Sequence, residues 1–346
     1  MKHNIKTSII GFVLVALCST ASFAQKLDAA KVPAAFKIVG TFKIASSGGW
    51  DYIAVQPNTN RIFISHGTQV NVLDKNTGDS LGIIPNTIGV HGIEFVPSLN
   101  KGYTSNGRSN NLTMFDLKTL AVKDSIATGQ NPDAIFYDSY SKRIVTCNGR
   151  SKDLTFIDPV TDKVVATVAV GGKPETAVSN GAGKIFVNIE DKNEIVVINT
   201  NNMTVQAHWS LLPGEAPTGL AIDTKTNRLF SACGDSKLLV VVDAENGSII
   251  TKLPIGDGCD GAGFDTALQN IYTSNGDGTL TIIHEDSKDG FTVTANIPTK
   301  KGARTMTVDQ QTHKLYLPTA DLEPSTGKGR PKMVPGSFQV LVIAKE

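Results

Sequence analysis

Four stretches of the sequence repeat one pattern: Arg61-Ile-Phe-Ile-Ser-His-Gly67, Lys101-Gly-Tyr-Thr-Ser-Asn-Gly107, Arg143-Ile-Val-Thr-Cys-Asn-Gly149 and Asn270-Ile-Tyr-Thr-Ser-Asn-Gly276. Each begins with a polar residue, continues with β-branched and aromatic residues, and ends in a pair that closes with glycine. β-Branched and aromatic side chains favour strands, and Asn-Gly pairs favour tight turns. The four stretches therefore predict equivalent β-strands, each followed by a turn.

The sequence around these stretches recurs with a mean period of about 42 residues, which is the length of a propeller blade. Each repeat has an apolar strand, a second strand beginning near Lys or Arg, a polar loop and a third strand ending in a polar residue. Helical repeats would instead show apolar residues every three to four positions. The repeats begin near Gly48, Gly89, Gln130, Gly172, Glu215, Asp257 and Lys301. They predict an all-β fold, a seven-bladed β-propeller.

The two ends of the chain are complementary. The last repeat has no fourth strand after Ser337–Ala344, whereas Phe36–Ile44 has fourth-strand character and precedes the first repeat. We expect the N-terminal strand to complete the C-terminal blade, because this closes the ring and removes an exposed sheet edge. Residues 25–35 are then a lead segment, and residues 36–346 form a single propeller.

The repeats resemble those of the YVTN-type β-propeller family, and within it the YncE-like secreted or periplasmic proteins. The shared patterns are Pro-x-x-apolar-Ala-Val, Lys/Arg-apolar-Tyr/Phe-apolar-Ser/Thr-Asn and Val-x-Val-Ile-Asp, from about residue 36 to the end. Tyr103-Thr-Ser-Asn106 and Tyr272-Thr-Ser-Asn275 come nearest to the family core, whereas Phe186-Val-Asn-Ile189 departs from it. The resemblance implies the fold but not a chemistry, because the repeated residues build blades.

Residues 1–24 have the features of a secretion signal: Lys2 and Lys6 are basic, Ile9–Leu17 are almost entirely apolar, and small residues precede the expected cleavage after Ala24. A lipoprotein anchor at Cys18 is the alternative, although such sites require a small residue before the cysteine and Leu17 is large. We expect a periplasmic or secreted protein, monomeric and without a membrane span after cleavage.

Composition excludes several classes of protein. The 346 residues include 32 Gly and 15 Pro, with 40% hydrophobic and 19% charged residues, which is typical of a turn-rich globular chain. Signal removal takes away two lysines and no acidic residue, so the formal net charge changes from +1 to −1. Strong nonspecific binding to nucleic acid or anionic membranes needs clustered positive charge, which this composition does not provide.

The cysteines and their spacing exclude two further kinds of site. Cys147, Cys233 and Cys259 are an odd number, so a disulfide framework is not expected, and no CxxC or HExxH spacing occurs, so a zinc signature is absent.

Polar residues that recur from blade to blade are expected to serve the architecture. Third strands end in Asp74, Asp116, Asp158 and Asp243, with Asn199 and His284 at equivalent positions. Short polar side chains accept backbone hydrogen bonds in the turn that follows. The pairs at 66, 106, 148 and 275 that end in glycine are likewise interpreted as turn formers first.

A second set of equivalent positions differs from blade to blade. We place it just before each first strand, and first strands line the central channel of a propeller. The residues, in order around the ring, are Asp51, His91, Asp133, Glu175, Thr218, Asp260 and Arg304. Carboxylates ~7 to 10 Å apart repel by roughly 2 kcal/mol per pair at an effective dielectric near 20. Either a solvated polar mouth or a bound ligand or divalent cation would relieve that repulsion.

Two further residues belong to the candidate ligand-binding set at this mouth. Trp50 is the aromatic residue beside Asp51, with Tyr52 next to it, and His66 lies where the second strand meets its loop on the same face. The insertion at residues 318–336 emerges on this face and carries Lys328, Arg330 and Lys332. It is interpreted either as a lid over the acidic ring or as a plain surface loop.

Three functions remain open. The favoured one is an exported binding or scaffold module that recognises a small molecule, glycan, peptide or partner protein at the mouth. The second is a lactonase-like hydrolase or oxidoreductase accessory subunit, in which His91 or Glu175 is a general base and Arg304 or a metal polarises a carbonyl. The YncE resemblance also implies single-stranded nucleic acid binding, which needs aromatic platforms beside basic residues.

A divalent cation is the one cofactor considered. The oxygen ligands of the ring favour Ca²⁺ or Mg²⁺, and His91 leaves a transition metal open.

Overall fold

Short strands that alternate with turns dominate this chain: apart from the two-residue strand Thr307–Val308, each described strand is five to nine residues long. The computed structural model describes Met1 and residues 35–46, 48–324 and 331–346. The predicted signal peptide, including Cys18, lies outside the described residues except for Met1. Ala35–Glu346 form one compact unit. Within the described residues, none of the helices is long and apolar enough to cross a membrane.

The strands are numbered in chain order. The first fifteen are β1 (Phe36–Lys43), β2 (Trp50–Val55), β3 (Arg61–His66), β4 (Gln69–Asp74), β5 (Ser80–Ile84), β6 (Val90–Val96), β7 (Lys101–Asn106), β8 (Asn111–Asp116), β9 (Val122–Ala127), β10 (Pro132–Asp138), β11 (Arg143–Asn148), β12 (Asp153–Asp158), β13 (Lys163–Ala169), β14 (Pro174–Ser179) and β15 (Lys184–Ile189). The others are β16 (Glu194–Asn199), β17 (Thr204–Ser210), β18 (Pro217–Asp223), β19 (Arg228–Cys233), β20 (Leu238–Asp243), β21 (Ile249–Pro254), β22 (Cys259–Asp265), β23 (Asn270–Asn275), β24 (Thr279–Ser287), β25 (Gly290–Pro298), β26 (Thr307–Val308), β27 (Leu315–Thr319) and β28 (Gln339–Lys345). Two 3₁₀ turns cover Pro97–Leu99 and Glu190–Lys192.

These strands form seven four-stranded antiparallel sheets, which confirms the predicted seven-bladed β-propeller. Six sheets are consecutive, from β2-β3-β4-β5 to β22-β23-β24-β25, and the seventh has the order β26-β27-β28-β1. The innermost strands contact one another around the ring, with β26 touching both β22 and β2. The predicted closure is therefore confirmed: β1 pairs with β28, from Phe36 opposite Lys345 to Lys43 opposite Gln339.

The core is divided among the junctions between blades. Seven clusters of buried apolar residues each combine side chains from two neighbouring sheets. At the junction of the last and first blades, Phe338 and Val340 pack against Ile62 and Ile64. Phe36 of β1 also packs edge-on against Tyr272 of the sixth blade, with ring centroids 5.6 Å apart. Each blade thus depends on both neighbours for burial of its two faces, so the ring stabilises itself only when it is closed.

The recurrent aspartates have the architectural role that the repetition predicts. Oδ1 of Asp74 accepts hydrogen bonds from the backbone N–H groups of Asn76 and Thr77, and Oδ1 of Asp158 accepts one from Val160. His284 departs from this pattern and contacts the side chain of Asn270 instead.

The asparagines of the Asn-Gly pairs are also structural. Nδ2 of Asn148 donates to Asp153 and to Thr155 on the next strand, at 2.6 and 2.8 Å. Asn106 and Asn275 make the equivalent bonds within their blades. They brace the second strand against the third.

The cysteine prediction also agrees with the structure. Cys147, Cys233 and Cys259 are buried and form no disulfide with one another.

Deletion of residues 36–44 should open the ring, because it removes the partner of β28 and the Phe36 contact. We expect aggregation or a marked loss of thermal stability, measured by size-exclusion chromatography and calorimetry. Phe36→Ala truncates one side chain and leaves the strand pairing in place, so it should lower the melting temperature modestly while the protein stays monomeric. A soluble, monomeric deletion variant with unchanged melting would contradict the closure argument.

Asp158→Ala should lower the free energy of unfolding by about 1 kcal/mol, the scale of one lost local hydrogen bond. Asp158→Asn should cost less, because Asn199 already serves the same turn in the fourth blade. Urea denaturation measures both values. A loss equal in the two variants would assign the effect to the ion pair with Arg143, at 3.4 Å, and not to the turn.

Candidate functional site

The seven ring positions lie at a repeated irregularity in the innermost strands. The sequence placed them just before each first strand; in the structure, six of them are the second residue of that strand instead. The strand register breaks directly after the strand begins, as between Trp50 and Ile53 or Pro132 and Ile135. Arg304 precedes the short strand β26. Such bulges redirect side chains and are common beside functional sites.

Short polar side chains of the second strand support the bulges. Ser65 Oγ accepts a hydrogen bond from Asp51 N at 3.1 Å and donates one to the carbonyl oxygen of Tyr52 at 2.9 Å. The bulged backbone groups, which have no partner in the regular ladder, are satisfied in this way.

The ring carbonyls also join neighbouring blades. At four junctions of the described chain, a side chain of one blade donates to the carbonyl oxygen of the next ring residue. These bonds are Thr305 Oγ1 to Asp51 O (2.5 Å), Ser105 Oγ to Asp133 O, Asn188 Nδ2 to Thr218 O (3.1 Å) and Ser274 Oγ to Arg304 O (2.6 Å). These bonds hold the ring backbone in place at the four junctions.

Three ring side chains meet at one point. Nδ1 of His91 lies 2.5 Å from Oδ2 of Asp51 and 3.8 Å from Oδ1 of Asp133. The potential ligand atoms of these three residues all lie within 4.8 Å of one another. Asp133 Oδ1 is buried and has no hydrogen-bond partner among the described residues. We call Asp51, His91 and Asp133 the Asp-His-Asp centre.

Two other groups of charges flank the Asp-His-Asp centre. On one side, Arg304 Nε lies 2.6 Å from Asp260 Oδ2, and its Nη2 lies 3.7 Å from Asp51. On the other side, Nζ of Lys173 pairs with Glu175, at 2.6 Å, and with Glu190. The three groups make an asymmetric mouth.

Lys173 and Glu190 were missed by the sequence analysis. Lys173 lies two residues before its ring position, where Gly49, Gly258 and Gly302 occupy the equivalent places. A lysine at a position that is glycine in other blades is the signal by which comparison of the repeats could have identified Lys173.

The remaining candidates have other positions. His66 is fully buried, stacks on Phe338 with centroids 3.9 Å apart, and contacts Ser46 Oγ and the Gly48 carbonyl through its two ring nitrogens. The structure therefore does not bring it to the ring; its contacts tie the end of β3 to the segment before β2 and to the last blade. The hydroxyl of Thr218 donates to the Cys259 carbonyl at 2.7 Å, which occupies its donor.

Tyr52 borders a cavity of about 180 Å³ that is lined by residues of the innermost strands. Burial raises the pKa of its phenol, and the negative charges of Asp133, Asp51, Glu175 and Asp260 raise it further. Tyr52 is therefore a neutral group surrounded by the ring acids. Trp50 faces a different cavity and packs against Phe338. Of the insertion residues, Lys328 and Arg330 lie outside the described part of the chain.

The protonation of the mouth reflects its excess of carboxylates. Burial lowers the pKa of His91, but the hydrogen bond to Asp51 and the charges of Asp133, Asp51 and Glu175 outweigh this and raise it to about 9. Burial and the Asp51 carboxylate raise the pKa of Asp133. Burial and Asp133 likewise raise the pKa of Glu175, against the opposing effect of Lys173. At neutral pH, His91 is therefore a cation that partly neutralises the Asp-His-Asp centre.

These shifts predict a loss of stability in alkaline solution. A group whose pKa is raised by folding binds more protons in the folded state, so its stabilising effect is present below the unfolded pKa and is lost as pH rises through the folded pKa. For His91 this window runs from 6.5 to about 9. We expect His91→Gln to be less stable than wild type at pH 6 by roughly 1–3 kcal/mol, and the difference to shrink by pH 9.5.

Denaturant titrations of chelator-treated protein at several pH values measure this difference. His208→Gln is the matched control, since His208 also contacts a carboxylate, Glu194, but lies on an outer strand. A wild-type advantage over His91→Gln that stays constant from pH 6 to 9.5 would show that His91 is not charged by the ring.

Comparison with known proteins agrees with this architecture. Residues 103–260 match the sequence model described as YNCE-like beta-propeller. The fold is similar to that in "Crystal structure of RRP9 WD40 repeats", with a TM-score of 0.74 and 9% sequence identity, over 90% of this chain and 99% of that one. No curated protein sequence matches the chain. The chain is therefore a seven-bladed β-propeller, and its residues 103–260 are similar to YncE-like β-propellers.

Proposed function

We propose that this protein is an exported binding module whose ligand enters the channel mouth, and that a divalent cation bound at the Asp-His-Asp centre is part of that function. The observation that carries the proposal is the convergence of Asp51, His91 and Asp133, with their ligand atoms within 4.8 Å of one another. Export is supported by the basic, apolar and small-residue segments at residues 1–24.

The charges of the mouth favour a cation. Asp133 Oδ1 is buried without a hydrogen-bond partner among the described residues, and its contact with His91 is longer than a hydrogen bond. An unsatisfied buried carboxylate oxygen is costly, and a cation would satisfy it. The proton on His91 already supplies part of this compensation, so a metal ion would replace that proton. Cation affinity should therefore rise with pH.

The ligand set also bears on which ion binds. Two carboxylates alone suit Ca²⁺ or Mg²⁺, whereas an imidazole nitrogen suits first-row transition metals. Because Nδ1 of His91 lies between the two carboxylates, we propose Zn²⁺ or Mn²⁺ ahead of Ca²⁺. Water and an external ligand would complete the coordination, as in metal sites that keep open positions.

The alternative functions have weaker support. His91 is protonated at neutral pH, so it could act as a general acid more readily than as the general base of a hydrolase. Glu175 is paired with Lys173, and Arg304 with Asp260, which engages the other groups assigned to catalysis. Single-stranded nucleic acid would need exposed aromatic platforms, but Trp50 packs against Phe338.

Metal binding can be tested by thermal unfolding of chelator-treated protein. Zn²⁺ or Mn²⁺ at about 100 times its Kd should stabilise wild type by about 2.7 kcal/mol. Asp133→Asn keeps the shape of the side chain and removes a ligand charge, so it should abolish most of that stabilisation. Calorimetric titration should give one ion per chain, with proton release that grows as pH falls from 9 to 7.

Asp124→Asn is the matched control, because Asp124 is exposed on an outer strand of the second blade. It makes the same change of net charge and should leave the metal response unchanged. Equal responses of wild type and Asp133→Asn to every ion would refute the Asp-His-Asp centre as a metal site.

A further inference from the structure

A second cavity, of about 600 Å³, lies beside the Asp-His-Asp centre. Its lining includes Trp50, Lys301, Arg304, Leu322 and Met333. Its volume falls within the range of small-molecule pockets, which are largely apolar and carry a few convergent polar groups. We call it the Trp50 pocket.

The insertion in the last blade builds one wall of the Trp50 pocket. Leu322 and Met333 form an isolated antiparallel bridge, and Glu323 N donates to the Lys332 carbonyl at 2.8 Å. This paired stem is ordered, and it is anchored where Met333 packs against the junction of the last and first blades. The described part of the insertion therefore acts as a wall beside the channel.

Glycine backbone forms another part of the lining. Gly302 has a φ of +86°, and a Cβ there would lie 3.4 Å from Leu322 Cδ1 and 3.6 Å from Trp50 Cζ2. The positive φ favours glycine at this position, and both distances are ordinary van der Waals contacts, so Gly302 lies in the lining between the indole and the insertion stem.

The polar side chains of the described lining residues all carry hydrogen-bond donors. The indole N–H of Trp50 is buried and has no acceptor among the described residues. Lys301 is exposed, whereas its neighbour Lys300 pairs with Asp321. Arg304 is the third donor, although Asp260 and Asp51 already offset its charge. No carboxylate lies on the described lining, in contrast to the ring a few residues away.

We propose that the Trp50 pocket binds a small apolar molecule that carries one anionic oxygen group. The apolar body lies against Leu322, Met333 and the indole ring, and the anionic group accepts from Trp50 Nε1 and Lys301. Charge-assisted hydrogen bonds of this kind are stronger than neutral ones, so they select an anion over a neutral analogue of the same shape. This binding does not require the metal ion of the proposed function.

Two dyes with one scaffold test the proposal in the presence of a chelator. The anion 8-anilino-1-naphthalenesulfonate should bind at one site, and N-phenyl-1-naphthylamine, which lacks the sulfonate, should bind at least tenfold more weakly. The chain has two tryptophans, so in a Trp209→Phe background Trp50 is the remaining one. Its emission should be quenched by energy transfer as the sulfonate dye binds.

Two variants locate the dye. Lys301→Gln should weaken the sulfonate dye about tenfold and leave the neutral dye unchanged, whereas Lys123→Gln on an outer strand should change neither. Trp50→Phe keeps an aromatic ring without the N–H and should also weaken the sulfonate dye, as measured by calorimetry. Equal affinity for the two dyes, an unquenched Trp50, or sulfonate binding that is insensitive to both variants would overturn the proposal.

Discussion

The antiparallel pairing of β1 with β28 is the constraint on which the channel mouth depends. Seven residue pairs join β1 to β28 within the seventh blade, and the chain then continues from β1 into the first blade. Asp51 lies in the first blade and Arg304 in the seventh, so their approach to 3.7 Å exists only when the ring is closed. The Trp50 pocket spans the same junction, since Trp50 follows the closing strand and Met333 precedes β28. The site thus joins residues far apart in the chain.

The mouth divides into regions with different chemistry although every blade has the same fold. The Asp-His-Asp centre combines two carboxylates with an imidazole, Lys173 pairs with Glu175, and the Trp50 pocket has donor side chains beside apolar surface. Each difference arises from a single side chain at an equivalent position or from the insertion in the last blade. A cation and an anionic organic molecule could therefore be bound side by side, with Arg304 bordering both regions.

Repetition explains how much of this could be predicted from the sequence. The blades, the closing strand and the role of Asp158 were predictable because every blade must form the same strands and turns. The ring residues were found because they break the repetition. Their position within a bulge could not be predicted from the sequence, because the bulge depends on hydroxyl groups of the partner strand, such as that of Ser65. Packing against Phe338 decided the position of His66, and Phe338 is distant from it in sequence. The Trp50 pocket could not be predicted either, because one of its walls is formed by the insertion stem, whose path the sequence does not reveal.

The hydrogen bonds from neighbouring blades to the ring carbonyls have a consequence for how this mouth can diversify. A carbonyl oxygen is present whatever the side chain, so Asp133 and Thr218 serve equally well as acceptors for the blade beside them. Substitution at a ring position alters recognition while the joint between blades keeps its backbone acceptor. The propeller is consequently a scaffold in which affinity for new ligands can be acquired one residue at a time, without compensating substitutions between the blades.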